Sequence, residues 1–170
     1  DAAFVARRRW FGRRVNLHIL KNAKSGGCSE DCSFCSQSAS SGVEIERYDL
    51  VAEDELVEDA RRARERGAAK YCMVTSGREP SAEELERVVR VLRRIKAESP
   101  RLQLCCSLGL LSPAQAQALK AAGADRINHN LETSRRHYPA LCRTHTYDDR
   151  LRTLQAARAA GLELCCGGLV

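Results

Sequence analysis

Apolar positions along the chain gather into short runs of strand length, separated by longer stretches in which they recur at helical spacing. An Arg-rich segment, about Ala2 to Phe11, predicts a helix and leads into VNLHIL, an apolar strand ending near Leu20. The loop KSGGCSEDCSFCSQSASSG follows, rich in glycine and serine. Glu53 to Gly67 reads as a helix closed by Gly67, AKYCMVT as a strand and TSGREPS as a turn. From about Ala82 to Ala97, Leu85, Val88, Val89, Leu92 and Ile95 fall on one helical face. Ser99-Pro100 stops that helix, and LQLCCSL is a third strand. Ser112-Pro113 supplies an N-cap and a proline at the first helical position, with Gly123 at the far end. ADRINHN is a fourth strand. Thr146 and Asp149, at capping-box spacing, open a helix ending at Gly161 before a fifth strand, LELCC.

Strands alternating with helices predict an α/β fold built on a parallel sheet. Two arrangements fit, an open doubly wound sheet and a (βα)8 barrel. Neither GxGxxG nor GxxxxGK[ST] follows the first strand, which weakens the nucleotide-binding open sheets. No linker or low-complexity tract divides the chain. At 170 residues and 18.8 kDa there is room for one ordinary domain. The sequence lacks an initiator Met, and GLELCCGGLV stops as a loop should begin, so the expectation is a piece cut from a longer chain.

Composition narrows the function classes. A hydrophobic content of 44% with 29% charged residues describes a globular chain. No apolar run approaches the roughly 18 residues of a membrane span, and DAAFVARRRWFGRR has no signal-peptide core. The expected setting is the cytoplasm, away from membranes. The net charge of +6 includes a basic block at Arg7, Arg8, Arg9, Arg13 and Arg14. Elsewhere acids interleave with the arginines, and aromatics are only 5%, so no nucleic-acid partner is expected.

Nine cysteines carry the candidate chemistry. The odd number, and the absence of any export signal, favour metal ligation over disulfides. Cys28, Cys32 and Cys35 lie in GGCSEDCSFC, three thiols in one loop after the first strand. A structural zinc site wants a fourth ligand, and His18, inside the strand, is awkwardly placed to supply it. An Fe4S4 cube held by three cysteines instead leaves one iron open, which a small molecule bearing an amine and a carboxylate could chelate.

This CxxxCxxC loop, with Phe34 just before the last cysteine, resembles the cluster loop of the radical S-adenosylmethionine (SAM) enzymes. The resemblance implies a (βα)8 TIM-type barrel, present here as about five βα units. Residues 1–14 then form an N-terminal helix and 15–170 the core. It implies a 4Fe-4S cluster on Cys28, Cys32 and Cys35 whose open iron binds SAM and whose electron cleaves it to a 5′-deoxyadenosyl radical. Cys72 in YCMVTSGREPS, Cys105 in LQLCCSLGLL, NHNLETS at 128–134 and Cys165 in LELCCGG further resemble the biotin synthases. In that family cysteines at these positions hold a 2Fe-2S cluster, completed by an arginine from a late strand. That cluster supplies the sulfur inserted into dethiobiotin. The resemblance also implies an electron donor such as flavodoxin or ferredoxin, and a homodimer.

Strand alternation agrees that only one cysteine of each pair, Cys105-Cys106 and Cys165-Cys166, can face a lumen. Cys106 and Cys166 are then expected to face the helices, and Cys142 to be structural. Asn128 and Asn130 suit hydrogen bonds to a ureido group or a ribose. The resemblance puts Asn130 and Glu132 near SAM, although Asp often stands where Glu132 does. Thr75, Ser76 and Gly77 are expected at its methionyl end. His129 is expected to point at the helical layer. The isolated 170 residues are expected to be inactive. Two alternatives stay open: another radical SAM enzyme of maturase or mutase type using only the first cluster, and a zinc-binding structural module.

Overall fold

The computed structural model describes residues 2–169; the outer limits of the two expected segments, Asp1 and Val170, lie outside the described residues. The chain runs α1 (Ala2–Phe11), β1 (His18–Lys24), α2 (Glu53–Glu65), β2 (Lys70–Thr75), α3 (Ala82–Glu98) and β3 (Gln103–Ser107). It continues with α4 (Pro113–Ala121), β4 (Arg126–Asn128), α5 (Tyr138–Leu141), α6 (Tyr147–Ala159) and β5 (Glu163–Cys165). All four strand pairings are parallel, and the sheet order is β1-β2-β3-β4-β5. A doubly wound sheet reverses its order at a switch point. Here each new strand joins the same advancing edge, the winding of a barrel.

Helix starts are set by local chemistry. Ser81, Ser112 and Thr146 each accept from the backbone three residues on, and Glu84, Gln115 and Asp149 return the bond. The apolar face of α3 is rotated from the expected one: Val88, Val91, Leu92 and Ile95 are buried, while Leu85 and Val89 are only partly covered. α2 is the reason, because it packs along α3 and its buried Leu56, Val57, Ala60 and Ala63 belong to the same core.

β1 also differs. It begins at His18 and runs on to Lys24, so Val15 and Leu17 precede it and are exposed. The polar KNAK continues the strand because its outward Lys21 meets Glu55 and Asp59 at 2.6 and 3.0 Å and Ala23 is wholly buried. Lys24 meets Glu84 of α3 at 2.6 Å.

The register divides the sheet into two faces. Tyr71, Met73, Leu104, Cys106 and Ile127 point to the helices and are buried in one core. The opposite, lumen face carries the row Leu20, Cys72, Cys105, Arg126 and Glu163. Cys106 thus packs among the helices as expected. Cys166 does not: it lies beyond β5, which has a neighbouring strand on one side only, and it is exposed. Among the described residues, no helix is long and apolar enough to cross a membrane.

Candidate active site

A cavity of 240 Å³ opens at the C-terminal ends of the strands, where the loops of a parallel barrel converge. Cys28, Cys32, Phe34 and Cys35 of the loop line it together with Thr75, Ser76 and Gly77 at the end of β2 and Asn128, Asn130 and Glu132 at and beyond the end of β4. The structure therefore brings the cluster-loop cysteines and the expected SAM contacts to one place.

The loop is held by a network that sequence reasoning missed. Glu30, between the first two cysteines, is buried and accepts from Thr144 Oγ1 at 2.8 Å and from His145 Nδ1. Burial works to raise its pKa, but these hydrogen bonds outweigh it and hold the carboxyl below its ordinary value. Asp31 accepts from the backbone N–H of Arg143 at 2.8 Å and of Thr144 at 3.2 Å, which keeps its carboxyl well below the usual range. Across the cavity mouth, Ser76 Oγ donates to Gly26 O at 2.6 Å, so its hydroxyl is committed to the loop. Gly109, at φ 82°, lets the loop after β3 pass close to Arg78, whose carbonyl would sit 2.3 Å from a Cβ there.

Arg78 and Arg150 are the arginines of the cavity lining, and Arg78 is paired with Glu30 at 3.3 Å. Arg150 reaches from α6 to donate to Asn130 O at 2.8 Å and stands 3.8 Å from Glu132. Glu132 is buried and adopts φ 65°, a conformation that costs a side chain energy and recurs where ligands are held. Asn130 spends its Oδ1 on Gly167 N–H at 2.9 Å, which leaves its NH2 to the cavity. His129, expected to face the helical layer, is buried and counts among the residues of the cavity lining. Its Nε2 has no hydrogen-bond partner among the described residues.

Burial, then Arg150 and His145, push the His129 imidazole down to about 3, and burial lowers His145 as well. Unfolded imidazoles titrate near 6.5, so below that pH the unfolded chain binds protons that the folded chain refuses. Stability is therefore expected to fall from about pH 6.5 downward, by up to about 1.4 kcal/mol per pH unit for each such group. Urea denaturation between pH 7.5 and 5 measures this, and His129→Leu is expected to flatten the slope.

Beneath the cavity, in the lumen, Cys72 and Cys105 are register partners. The Cys72 thiol is pushed far up, first by its hydrogen bond to Cys105 and then by burial, while that bond favours thiolate at Cys105. Cys165 pairs with Asn128, one row nearer the mouth, and is exposed on the edge strand. Arg126 fills the position between Cys105 and Glu163 in the lower row, donating to Glu163 from Nε at 3.1 Å and Nη2 at 2.6 Å. It is a cation beside the cysteines that the sequence reading passed over.

Two sets of three cysteines thus stand apart, one on the loop at the cavity and one on the strands below it. Among the described residues, neither Cys28, Cys32 and Cys35 nor Cys72, Cys105 and Cys165 gather their sulfurs within 4.8 Å of one another, as one ion would require. Ligands spread over several irons need no such crowding. The left-handed backbone of Glu132, buried in the cavity lining, is the strain expected where a ligand is held.

Residues 23–170 match the Radical SAM superfamily, and the chain belongs to it. The chain is 48% identical over 170 residues to a biotin synthase of Magnetococcus marinus, all of this chain against 53% of that one. A biotin synthase of Salinibacter ruber is 49% identical over 170 residues, with 47% of its length covered. The chain thus spans about half the length of these curated relatives. A crystal structure of methylornithine synthase superposes with a TM-score of 0.80 at 25% identity, over 98% of this chain and 48% of that one. Membership of the superfamily implies a 4Fe-4S cluster and SAM for the cavity.

Proposed function

We propose that the protein containing these residues is a biotin synthase, which inserts sulfur into dethiobiotin. The observation that carries this reading is the pairing of Cys72 with Cys105 on the lumen face, directly beneath the cluster-loop cavity. A radical SAM enzyme working with one cluster needs no thiol row there.

When bound, the 4Fe-4S cluster on Cys28, Cys32 and Cys35 supplies the electron that cleaves SAM, and the 2Fe-2S cluster on Cys72, Cys105 and Cys165 supplies the sulfur. The chain's own residues position the reactants. Arg150 offers the charge for a carboxylate, with Thr75 and the backbone of Ser76 and Gly77 alongside the methionyl end. Glu132 accepts from ribose hydroxyls and the Asn130 NH2 donates. Phe34 gives an apolar wall, and Asn128 with Asn130 faces the ureido group. The helix-covered outer face keeps water from the sheet on that side. A flavodoxin or ferredoxin as reductant, a homodimer and a cytoplasmic setting belong to the same proposal, as does a core beginning near residue 15.

The test is turnover by the full-length protein, reconstituted anaerobically with iron and sulfide and given SAM, a low-potential reductant and dethiobiotin. Biotin is expected together with 5′-deoxyadenosine and methionine. Cleavage of SAM with dethiobiotin left unchanged would point to a maturase or mutase using only the first cluster.

A further inference from the structure

Behind the cluster loop lies a second group of ligand atoms that does crowd to a single point. Cys32 Sγ, Cys142 Sγ and a ring nitrogen of His145 all lie within 4.8 Å of one another, and all three residues are buried. Cys32 and Cys142 are 110 residues apart in sequence, and their sulfurs are 3.7 Å apart. Cys142 Sγ is 3.2 Å from His145 Nδ1 and 3.9 Å from Nε2. Two thiolates on one tetrahedral ion, each at about 2.3 Å, stand about 3.8 Å apart, and a thiolate and an imidazole about 3.5 Å apart. The Cys32–Cys142 and Cys142–His145 separations are close to those of one shared ion, and His145 lies within 4.8 Å of Cys32 as well.

The surroundings suit a metal-bound imidazole. Ligation through Nδ1 puts the ring proton on Nε2, which then donates to the Tyr138 hydroxyl at 2.7 Å, the outer hydrogen bond that fixes ring and tautomer in metal-binding histidines, while Arg150 Nε, now 3.1 Å from Nε2, keeps only its bond to that hydroxyl. Glu30 accepts from Nδ1 in the metal-free protein, gives up that hydrogen bond when an ion takes Nδ1, and adds negative charge at the site. Tyr138 and Tyr147 close it from the α5 side.

We propose that the cluster-free protein binds one thiophilic divalent cation, zinc in kind, at Cys32, Cys142 and His145, with a fourth position left to water or Glu30. Binding is ligand exchange without redox: M²⁺ replaces the protons of two thiols, and two protons leave to solvent. The His145 proton moves from Nδ1 to Nε2 within the neutral ring.

Cys32 is shared, which gives the site a consequence. An ion held here withholds Cys32 from the cluster, so ion and 4Fe-4S cluster exclude each other. That consequence rests on reading Cys32 as a cluster ligand, whereas the binding of the ion does not.

Cobalt(II) is the probe, added anaerobically to full-length protein stripped of iron. The wild type is expected to take up one ion with the visible bands of tetrahedral cobalt and thiolate-to-cobalt charge transfer. Cys142→Ala is expected to weaken binding at least tenfold, and Cys35→Ala to leave it unchanged. Cys142→Ser keeps the packing while removing the soft ligand, and is expected to behave as Cys142→Ala does. Equal binding by wild type and both Cys142 variants would overturn the site. So would a loss in Cys35→Ala as large as that in Cys142→Ala, which would put the ion in the CxxxCxxC loop. Zinc bound beforehand is expected to slow cluster assembly in the wild type and not in Cys142→Ser, read from the growth of cluster absorbance. Equal slowing in both would contradict the shared ligand. Failure of either protein to form a cluster without zinc would instead refute the cluster reading of the loop.

Discussion

Cys35→Ala in the full-length protein is expected to leave the sheet folded and to abolish SAM cleavage. Cys35 is half-buried on the cavity lining, outside every strand and helix and away from the main core under the sheet. Loss of an outer hydrogen-bond partner at a metal site already costs about 10–100-fold, so loss of a ligand is expected to exceed about 100-fold. The measurement is 5′-deoxyadenosine release under reducing conditions, with circular dichroism as the check on folding. Cys28→Ala is expected to behave alike. Retention of half the wild-type rate by either variant would remove the loop from the chemistry.

Cys105→Ala is expected to separate the two halves of the reaction. Its side chain lies in the lumen row, paired with Cys72 and away from the loop network of Glu30, Asp31 and Thr144. SAM cleavage should survive within a few-fold while biotin formation falls below about 1% of wild type, since a second-cluster ligand is gone. Cys106→Ala tests the specificity of that claim. Cys106 is next in sequence but faces the helices in the main core. Its replacement should cost stability and leave product formation per folded molecule unchanged. Equal effects of the two substitutions would mean that the lumen row has no special role.

The two sites were legible in the sequence to different degrees, for physical reasons. Cys28, Cys32 and Cys35 lie close together in the chain, so their spacing alone brings them to one loop. Strand alternation allowed only one of Cys105 and Cys106 to face the lumen, the family resemblance chose Cys105, and the observed register pairs it with Cys72. The helix starts at Ser81, Ser112 and Thr146 were readable because capping is local.

What was missed depends on contacts distant in sequence. Cys142 was assigned a structural role, and nothing near it in the chain shows that it meets Cys32. The meeting depends on the short α5 and on Asp31 gripping the backbone of Arg143 and Thr144. Arg150 reads as one arginine among many on a helix until α6 swings it over Asn130. β1 was cut short because KNAK looks polar, although acids on α2 and α3 neutralise its lysines.

The central claim is that the chain's six loop and lumen cysteines serve two clusters, one at the cavity wall and one in the lumen beneath it. Anaerobic iron and sulfide analysis with the ultraviolet–visible spectrum tests it most directly, on full-length protein and its Cys72→Ala variant. The account predicts about six iron and six sulfide per wild-type chain, and about four of each in the variant with the second-cluster absorbance gone. About four of each in both proteins, with identical spectra, would contradict it.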